Sequence, residues 1–373
     1  MKKPSNPFLI SGYLGPSYFC DRKEETKSIR SAVENGRNLT LMSLRRMGKT
    51  GLIKHSFQQI KSKKINLIYV DLLHTTDLST MVKEFAKAIV NQLSLGVLKT
   101  SLQKITTLFS GLHPTFTIDP LSGLPSVEFD IPKVKQGAKT LEEIFALLEK
   151  HAAHVIVAFD EFQIITSYPE KNVEAILRSH IQHLNNVSFI YSGSQKHIIS
   201  SMFGDAKRPF YQSTQFLSLE PIHTKEYHAF ISNHFKNAGI EIAKDDVDFL
   251  LDWTYHHTFY VQYFCNRLFD LKVTDPNTTV FHAIDKIFQE NEAVFTSYRT
   301  LLTSQQSHLL TSVAKEGWVH QPTSKDFLSK YRLTSSAIQR TLPALIQKEF
   351  LTREEKGYRV YDVFLGRWLA EKF

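Results

Sequence analysis

The chain has 373 residues, 42% hydrophobic and 22% charged, a length for two or three domains and a composition ordinary for a globular protein. No run approaches the ~18 uninterrupted apolar residues of a membrane span, the basic opening Met1–Pro7 leads into no apolar core of a secretory signal, and Cys20 and Cys265 are too far apart for a metal-site spacing, so a reduced, cytoplasmic protein without membrane contact is expected. The net charge of +8 is uneven: residues 1–64 carry fourteen Lys/Arg against four Asp/Glu, and residues 325–373 carry ten against six, so anionic ligands are expected near the N-terminal part.

In chain order, the first informative stretch runs from Leu39 to Ile53. An apolar strand feeds a short basic turn ending in Gly48-Lys49-Thr50, and a helical pattern follows at once. Such a strand–loop–helix gathers backbone N–H groups and the positive end of a helix dipole around an anion. Gly48 lets the main chain approach phosphates, Lys49 reaches the outer ones, and the Thr50 hydroxyl suits a Mg²⁺ ligand. The loop departs from Gly-x-x-x-x-Gly-Lys-[Ser/Thr] in its first position, Ser43, which is expected to stiffen it. Arg45 and Arg46 lie within it and can face solvent, an acidic neighbour or a nucleotide.

Short β-branched runs at 65–71, 154–160 and 187–192 alternate with helical patterns at 78–95, 141–151 and 173–184, the signature of a parallel sheet buried on both faces. A strand at 215–219 closes this domain before Pro221. Between about 110 and 133 two extended runs flank a turn-rich segment and predict an inserted surface hairpin. Beyond Pro221 the pattern is helical (224–238, 245–253, 259–271, 283–292). Helices at 305–316, 324–330 and 335–348 then precede a two-stranded wing, 351–353 and 358–360, turning at Lys356-Gly357, the outline of a winged helix. The expected division is 1–222, 223–298 and 299–373.

The second chemical signal is Asp160-Glu161, ending an apolar strand at the sheet edge where open α/β folds bind ligands. Asp160 is expected to hold Mg²⁺ and Glu161 to orient or deprotonate water; acidic residues at strand ends also serve as helix caps. Ser192 or Ser194, ending the next strand, is the candidate sensor of a terminal phosphate, or else the cap of the helix after it. Arg208 can supply charge in cis or to a neighbouring subunit, or stay in solvent. Phosphoryl transfer needs little more than this, because it proceeds by positioning and charge neutralisation.

These motifs resemble the STAND branch of AAA-type P-loop ATPases, in particular the prokaryotic archaeal-type ATPases, over nearly the whole chain. After Asn6-Pro7-Phe8, the segment Tyr18 to Glu25 resembles a Gly-Arg-Glu-x-Glu motif beside the base, with Arg22 and Glu25 matching and Asp21 and Lys23 replacing Gly and Glu. Leu44-Arg45-Arg46-Met47-Gly48-Lys49-Thr50 resembles Pro-Arg-Arg-x-Gly-Lys-Thr; Asp160-Glu161-Phe162-Gln163 and Ser192-Gly193-Ser194 fall where expected. Leu219-Glu220-Pro221 resembles a Gly-x-Pro turn, and His256 to Gln262 a lid motif, Gly-His-Pro-x-Tyr-x-Gln. His257 is thereby a candidate nucleotide sensor, or simply a cap for the helix at Thr258. Tyr361 to Leu369 resembles a closing Asp-Pro-x-x-x-x-Trp-Leu, with Val363 in place of Pro.

The resemblance implies a P-loop NTPase domain, a small all-α lid and a C-terminal winged helix. It implies ATP or ADP with Mg²⁺ held by Arg22, Ser43, Arg45, Arg46, Met47, Gly48, Lys49, Thr50, Gly51, Pro221 and His257, and slow hydrolysis that resets the lid and winged helix. Oligomerisation on ATP binding is left open. The winged helix offers Ser335, Ser336, Gln339, Arg340, Arg353, Lys356 and Arg359 to duplex DNA, although Pro343 is expected to interrupt its second helix. Docking a protein is the even alternative. A nucleotide-licensed DNA-binding protein akin to replication initiators is the second functional reading, and a nucleotide binder without turnover a third.

Overall fold

The computed structural model describes residues 5–60, 65–93, 113–118, 125–130, 134–151 and 153–373. They form two compact units, one spanning Tyr13–Pro221 and the other combining the residues before Tyr13 with Ile222–Phe373.

The first unit is built on five parallel strands: β1 (Leu39–Met42), β2 (Ile65–Asp71), β5 (His154–Asp160), β6 (Val187–Gly193) and β7 (Gln215–Ser218), in the order β2-β5-β6-β1-β7. Two further strands, β3 (His113–Ile118) and β4 (Pro125–Asp130), pair antiparallel within the segment expected to carry an inserted hairpin; the residues between them and on either side of the pair lie outside the described residues. The helices are α1 (Lys23–Glu34), α2 (Lys49–Gln59), α3 (Leu78–Leu93), α4 (Val134–Glu149), α5 (Val173–Ile181) and α6 (Lys196–Gly204).

Side chains alternate across a strand, so each run splits between two cores. From β5, Val155, Val157 and Phe159 join a core with α3, α5 and α6, whereas Ile156 and Ala158 meet Ile29, Val33, Leu52 and Ile53 of α1 and α2. Strand β6 divides likewise, Phe189 and Tyr191 to the first side and Ile190 to the second. The first core is aromatic-rich: the Tyr191 ring lies 4.6 Å from Phe162, 5.0 Å from Phe203 and 5.6 Å from Phe210, centroid to centroid.

The second unit contains α7 (Thr224–Asn237), α8 (Lys244–Trp253), α9 (Thr258–Thr274) and α10 (Val280–Thr300), followed by α11 (Ser304–Glu316), α12 (Lys325–Tyr331), α13 (Ser335–Gln347), β8 (Leu351–Glu354), β9 (Gly357–Val360) and α14 (Val363–Lys372). Phe8 is buried among Phe230, His234, Phe235 and Phe269, and Asn6 and Asn266 exchange hydrogen bonds with the facing main chain, which fixes the N-terminal segment to these helices. Capping hydroxyls at Thr303, Ser324 and Thr334 start α11, α12 and α13, and the Asp362 carboxylate starts α14. The wing pairs Leu351 with Val360, and Tyr358 also bridges to Val319.

Two expectations need correction. Helix α10 runs to Thr300, beyond the expected end at Glu292, and α13 passes through Pro343 without stopping. Pro343 lies on the exposed side of α13, where water can take the carbonyl that loses its partner.

The Tyr191 hydroxyl is enclosed in the aromatic core with no hydrogen-bond partner. Burial drives its phenol above the usual tyrosine range. An unsatisfied buried hydroxyl costs roughly 1–3 kcal/mol, so Tyr191→Phe is expected to raise stability in urea denaturation by about 1 kcal/mol; a loss of that size would mean the hydroxyl has a partner.

Candidate functional site

The carboxyl edge of the sheet brings the sequence-predicted chemistry together. Met42 is in register with Gly193 on one side and Ser218 on the other, and Asp71 with Asp160. Strand β6 lies between β1 and β5, so the phosphate loop and the Asp160-Glu161 pair flank its end.

The loop from Ser43 to Gly48 enters α2 through Gly48, whose φ of 94° lies in the left-handed region that favours glycine. Lys49 is buried, and its ammonium donates to Ser43 Oγ at 3.1 Å and to the Leu44 carbonyl at 3.2 Å. Burial lowers the Lys49 pKa from the usual lysine value; Glu161 and Asp160 oppose that shift and Arg45 adds to it. Ser43 has no left-handed backbone, so its place needs no glycine for conformation, and its hydroxyl gives Lys49 an extra acceptor. Arg45 and Arg46 are exposed, Arg46 with a left-handed φ of 62°, while Met47 is buried. Gly51 lies against the Phe19 ring, where an added Cβ would be at 3.4 Å.

Thr50 Oγ1 donates to Asp160 Oδ2 at 2.5 Å, joining the start of α2 to the end of β5. Tyr69 Oη donates to the same oxygen at 2.7 Å. Burial first, and Asp160 next, push the Tyr69 phenol far above its ordinary pKa. Glu161 adopts a left-handed backbone with φ 54°, its N–H donating to Asp160 Oδ1. Its Oε2 accepts from Gln163 Nε2 at 2.6 Å and from Ser194 Oγ at 2.7 Å. Neither Asp160 nor Glu161 is a side-chain helix cap: the short 3₁₀ turn Phe162–Ser167 begins without one. The two serines separate here, because Ser192 Oγ is buried without a hydrogen-bond partner while Ser194 is engaged by Glu161.

Arg22 is buried and reaches three protein groups: the Glu25 carboxylate at 2.7 Å, the Glu220 carbonyl at 2.7 Å and the Met47 carbonyl at 3.5 Å. It ties α1 to the phosphate loop and to the chain just before Pro221. Asp21 and Arg22 both have left-handed φ, 54° and 64°, a backbone region that favours glycine. Arg208 is held by the Glu174 carboxylate of α5 through two nitrogens.

In the second unit His257 precedes α9 without a side-chain capping bond, its ring 4.8 Å from that of Tyr260. On the winged helix Ser336 and Gln339 are exposed, Arg340 donates to Gln305 of α11, Arg353 is exposed with its guanidinium 5.6 Å from the Tyr358 ring, and Lys356 is exposed at the turn. Arg359 is a correction. It is buried, paired with Glu354 and packed against the adjoining Tyr255 and Trp318 rings, so it presents no charge to a nucleic-acid backbone.

The residues present fit a nucleotide phosphate with a hard cation. A helix N-terminus, a buried lysine and an orphaned buried serine hydroxyl surround one edge, and the Thr50 and Asp160 oxygens are a donor set suited to Mg²⁺, which takes one or two protein ligands together with phosphate oxygens. Sequence reasoning missed Tyr69 and the hydrogen-bonding of Gln163. Tyr69 stood in a predicted strand, but only the pairing of β2 with β5 brings its hydroxyl to Asp160.

The model of an ATPase domain predominantly from Archaea matches residues 19–257, and a model named "Probable winged helix domain" matches residues 293–371. No curated protein matches the sequence. The fold is similar to that of a Walker-type ATPase of Pyrococcus abyssi, at 16% identity and TM-score 0.65, covering 97% of this chain and 99% of that one. It is also similar to Aeropyrum pernix ORC2, solved as ADPNP–ADP complexes (13%, 0.59, covering 98% and 96%), and to Aeropyrum pernix ORC1 in complex with DNA (13%, 0.54, covering 99% and 97%). Identities this low establish the shared fold alone. The family match covers well over half of the chain, and the protein belongs to the ATPase family found predominantly in Archaea.

Proposed function

We propose that the protein is an ATP-binding, slowly hydrolysing molecular switch of the STAND type, in which nucleotide state resets the helical lid and winged helix. The observation that carries this reading is the Thr50–Asp160 hydrogen bond beside Lys49, which gathers the loop, the helix start and the acidic strand end at one place. ADPNP–ADP complexes of a structurally similar protein support the choice of ligand. Bound Mg²⁺ supplies neutralisation of the charge on the outer phosphate oxygens.

The chain's own residues do the rest. Lys49 exchanges the Ser43 hydroxyl and Leu44 carbonyl for phosphate oxygens, and the α2 amides meet the inner phosphates. Thr50 and Asp160 would hold the cation or its water shell, with Tyr69 fixing the Asp160 carboxylate. Glu161 orients the attacking water. Ser192, rather than the engaged Ser194, is the group left to sense a terminal phosphate. Arg208, paired with Glu174, is best read as an ion pair within this domain. His257 remains the candidate sensor from the lid, and assembly on ATP binding is a further consequence to test.

A second reading, nucleotide-licensed DNA binding, is favoured by the exposed Ser336, Gln339, Arg353 and Lys356 and by the similarity to an ORC1 solved with DNA. It is weakened by the engagement of Arg340 and the burial of Arg359. The switch with a protein or intramolecular output is the preferred reading.

Lys49→Ala is expected to weaken ATP and ADP binding at least tenfold in calorimetry, whereas Glu161→Gln should bind ATP as the parent does and lose most of its turnover. Equal hydrolysis by Glu161→Gln and the parent would remove Glu161 from its role. For duplex DNA, the expected result in anisotropy titrations is weak binding whose log affinity falls linearly with log salt. A tight site-specific footprint abolished by Arg340→Ala would instead establish the second reading.

A further inference from the structure

We infer that Gln163, Ser194 and the bare backbone of Gly193 form a clamp that sets the side-chain orientation of Glu161, making Gln163 and Ser194 positioning residues for hydrolysis. The inference rests on the reading of Glu161 as the residue that orients water.

Three observations carry it. Gln163 and Ser194 donate to one and the same carboxylate oxygen, Glu161 Oε2, at 2.6 and 2.7 Å. Two donors on one oxygen fix a flexible side chain about its last torsions and direct the other oxygen, Oε1, away from the clamp. The backbone adds to this restraint, since Glu161 is left-handed and its N–H is held by Asp160 Oδ1.

The second observation is the cost accepted at Gln163. Its amide can give Nε2 to the carboxylate only by turning Oε1 the other way, and that Oε1 is buried with no hydrogen-bond partner. Flipping the amide would set two acceptors against each other. A buried acceptor left unsatisfied calls for an explanation, and the bond to Glu161 provides one.

The third is the space that admits Gln163. A Cβ on Gly193 would stand 2.4 Å from Gln163 Oε1 and 2.4 Å from Ile199 Cγ1. The Ser192-Gly193-Ser194 run therefore has three separate tasks. Ser192 keeps an orphaned hydroxyl, Gly193 makes room, and Ser194 closes the clamp.

The test is steady-state and single-turnover ATP hydrolysis by Ser194→Ala, Ser194→Thr, Glu161→Gln and the Ser194→Ala/Glu161→Gln double variant, with melting curves for each. Ser194 is only partly buried, so folding should survive these changes. Expected are a roughly tenfold lower kcat with KM for ATP within twofold for Ser194→Ala, recovery to within threefold of the parent for Ser194→Thr, and no further loss when Ser194→Ala is added to Glu161→Gln. Gln163→Ala should reproduce the Ser194→Ala pattern. A parental kcat in Ser194→Ala alongside an inactive Glu161→Gln would overturn the clamp and spare the role of Glu161. Fully additive losses in the double variant, or a KM effect as large as the kcat effect, would overturn it in favour of a direct contact between Ser194 and nucleotide. Parental turnover in Glu161→Gln would overturn both.

Discussion

The hydrogen bond between Thr50 and Asp160 is the contact on which the arrangement depends. It spans from the first turn of α2, the helix that follows β1, to the last residue of β5, a strand separated from β1 by β6. The loop and helix after β1 carry Thr50 past the end of β6 to Asp160, while the register of β2 with β5 brings Tyr69 to the same carboxylate. Around that bond the electrostatics are poised. Lys49 is buried enough for its charge to be disfavoured, and the acidic pair partly restores it. The ammonium rests on Ser43 and Leu44, hydrogen bonds that an anion can replace.

A second set of contacts keeps the loop in place from behind. Arg22 uses one guanidinium to hold the Glu25 carboxylate of α1, the Met47 carbonyl of the loop and the Glu220 carbonyl after β7. Five donors in a rigid fork suit arginine to this task and lysine poorly. The arrangement connects the phosphate loop to the point where the chain leaves the α/β unit for Ile222.

Much of this was legible in the residues. The β-branched runs of β2, β5 and β6 announced a parallel sheet, and Gly48-Lys49-Thr50 with Asp160-Glu161 announced the two halves of the site. What stayed hidden depended on register, long-range packing or weak local signals. The Tyr69 hydroxyl meets Asp160 only because β2 and β5 pair as they do. Phe8 looked like part of an N-terminal lead, yet it fills an aromatic pocket more than 200 residues away in sequence. Helix α10 runs on through Val294 to Tyr298, a run rich in β-branched and aromatic residues, poor helix formers whose propensity packing overrides. By sequence Arg359 is a wing cation, and only its burial against Tyr255 and Trp318 reveals a structural role.

The most direct test is a crystal structure with ADP and Mg²⁺. The account predicts phosphate at the amino end of α2, the Lys49 ammonium transferred from Ser43 Oγ and the Leu44 carbonyl to phosphate oxygens, and the metal on the Thr50–Asp160 side. Nucleotide bound elsewhere, or Lys49 still resting on Ser43 beside an occupied site, would contradict it.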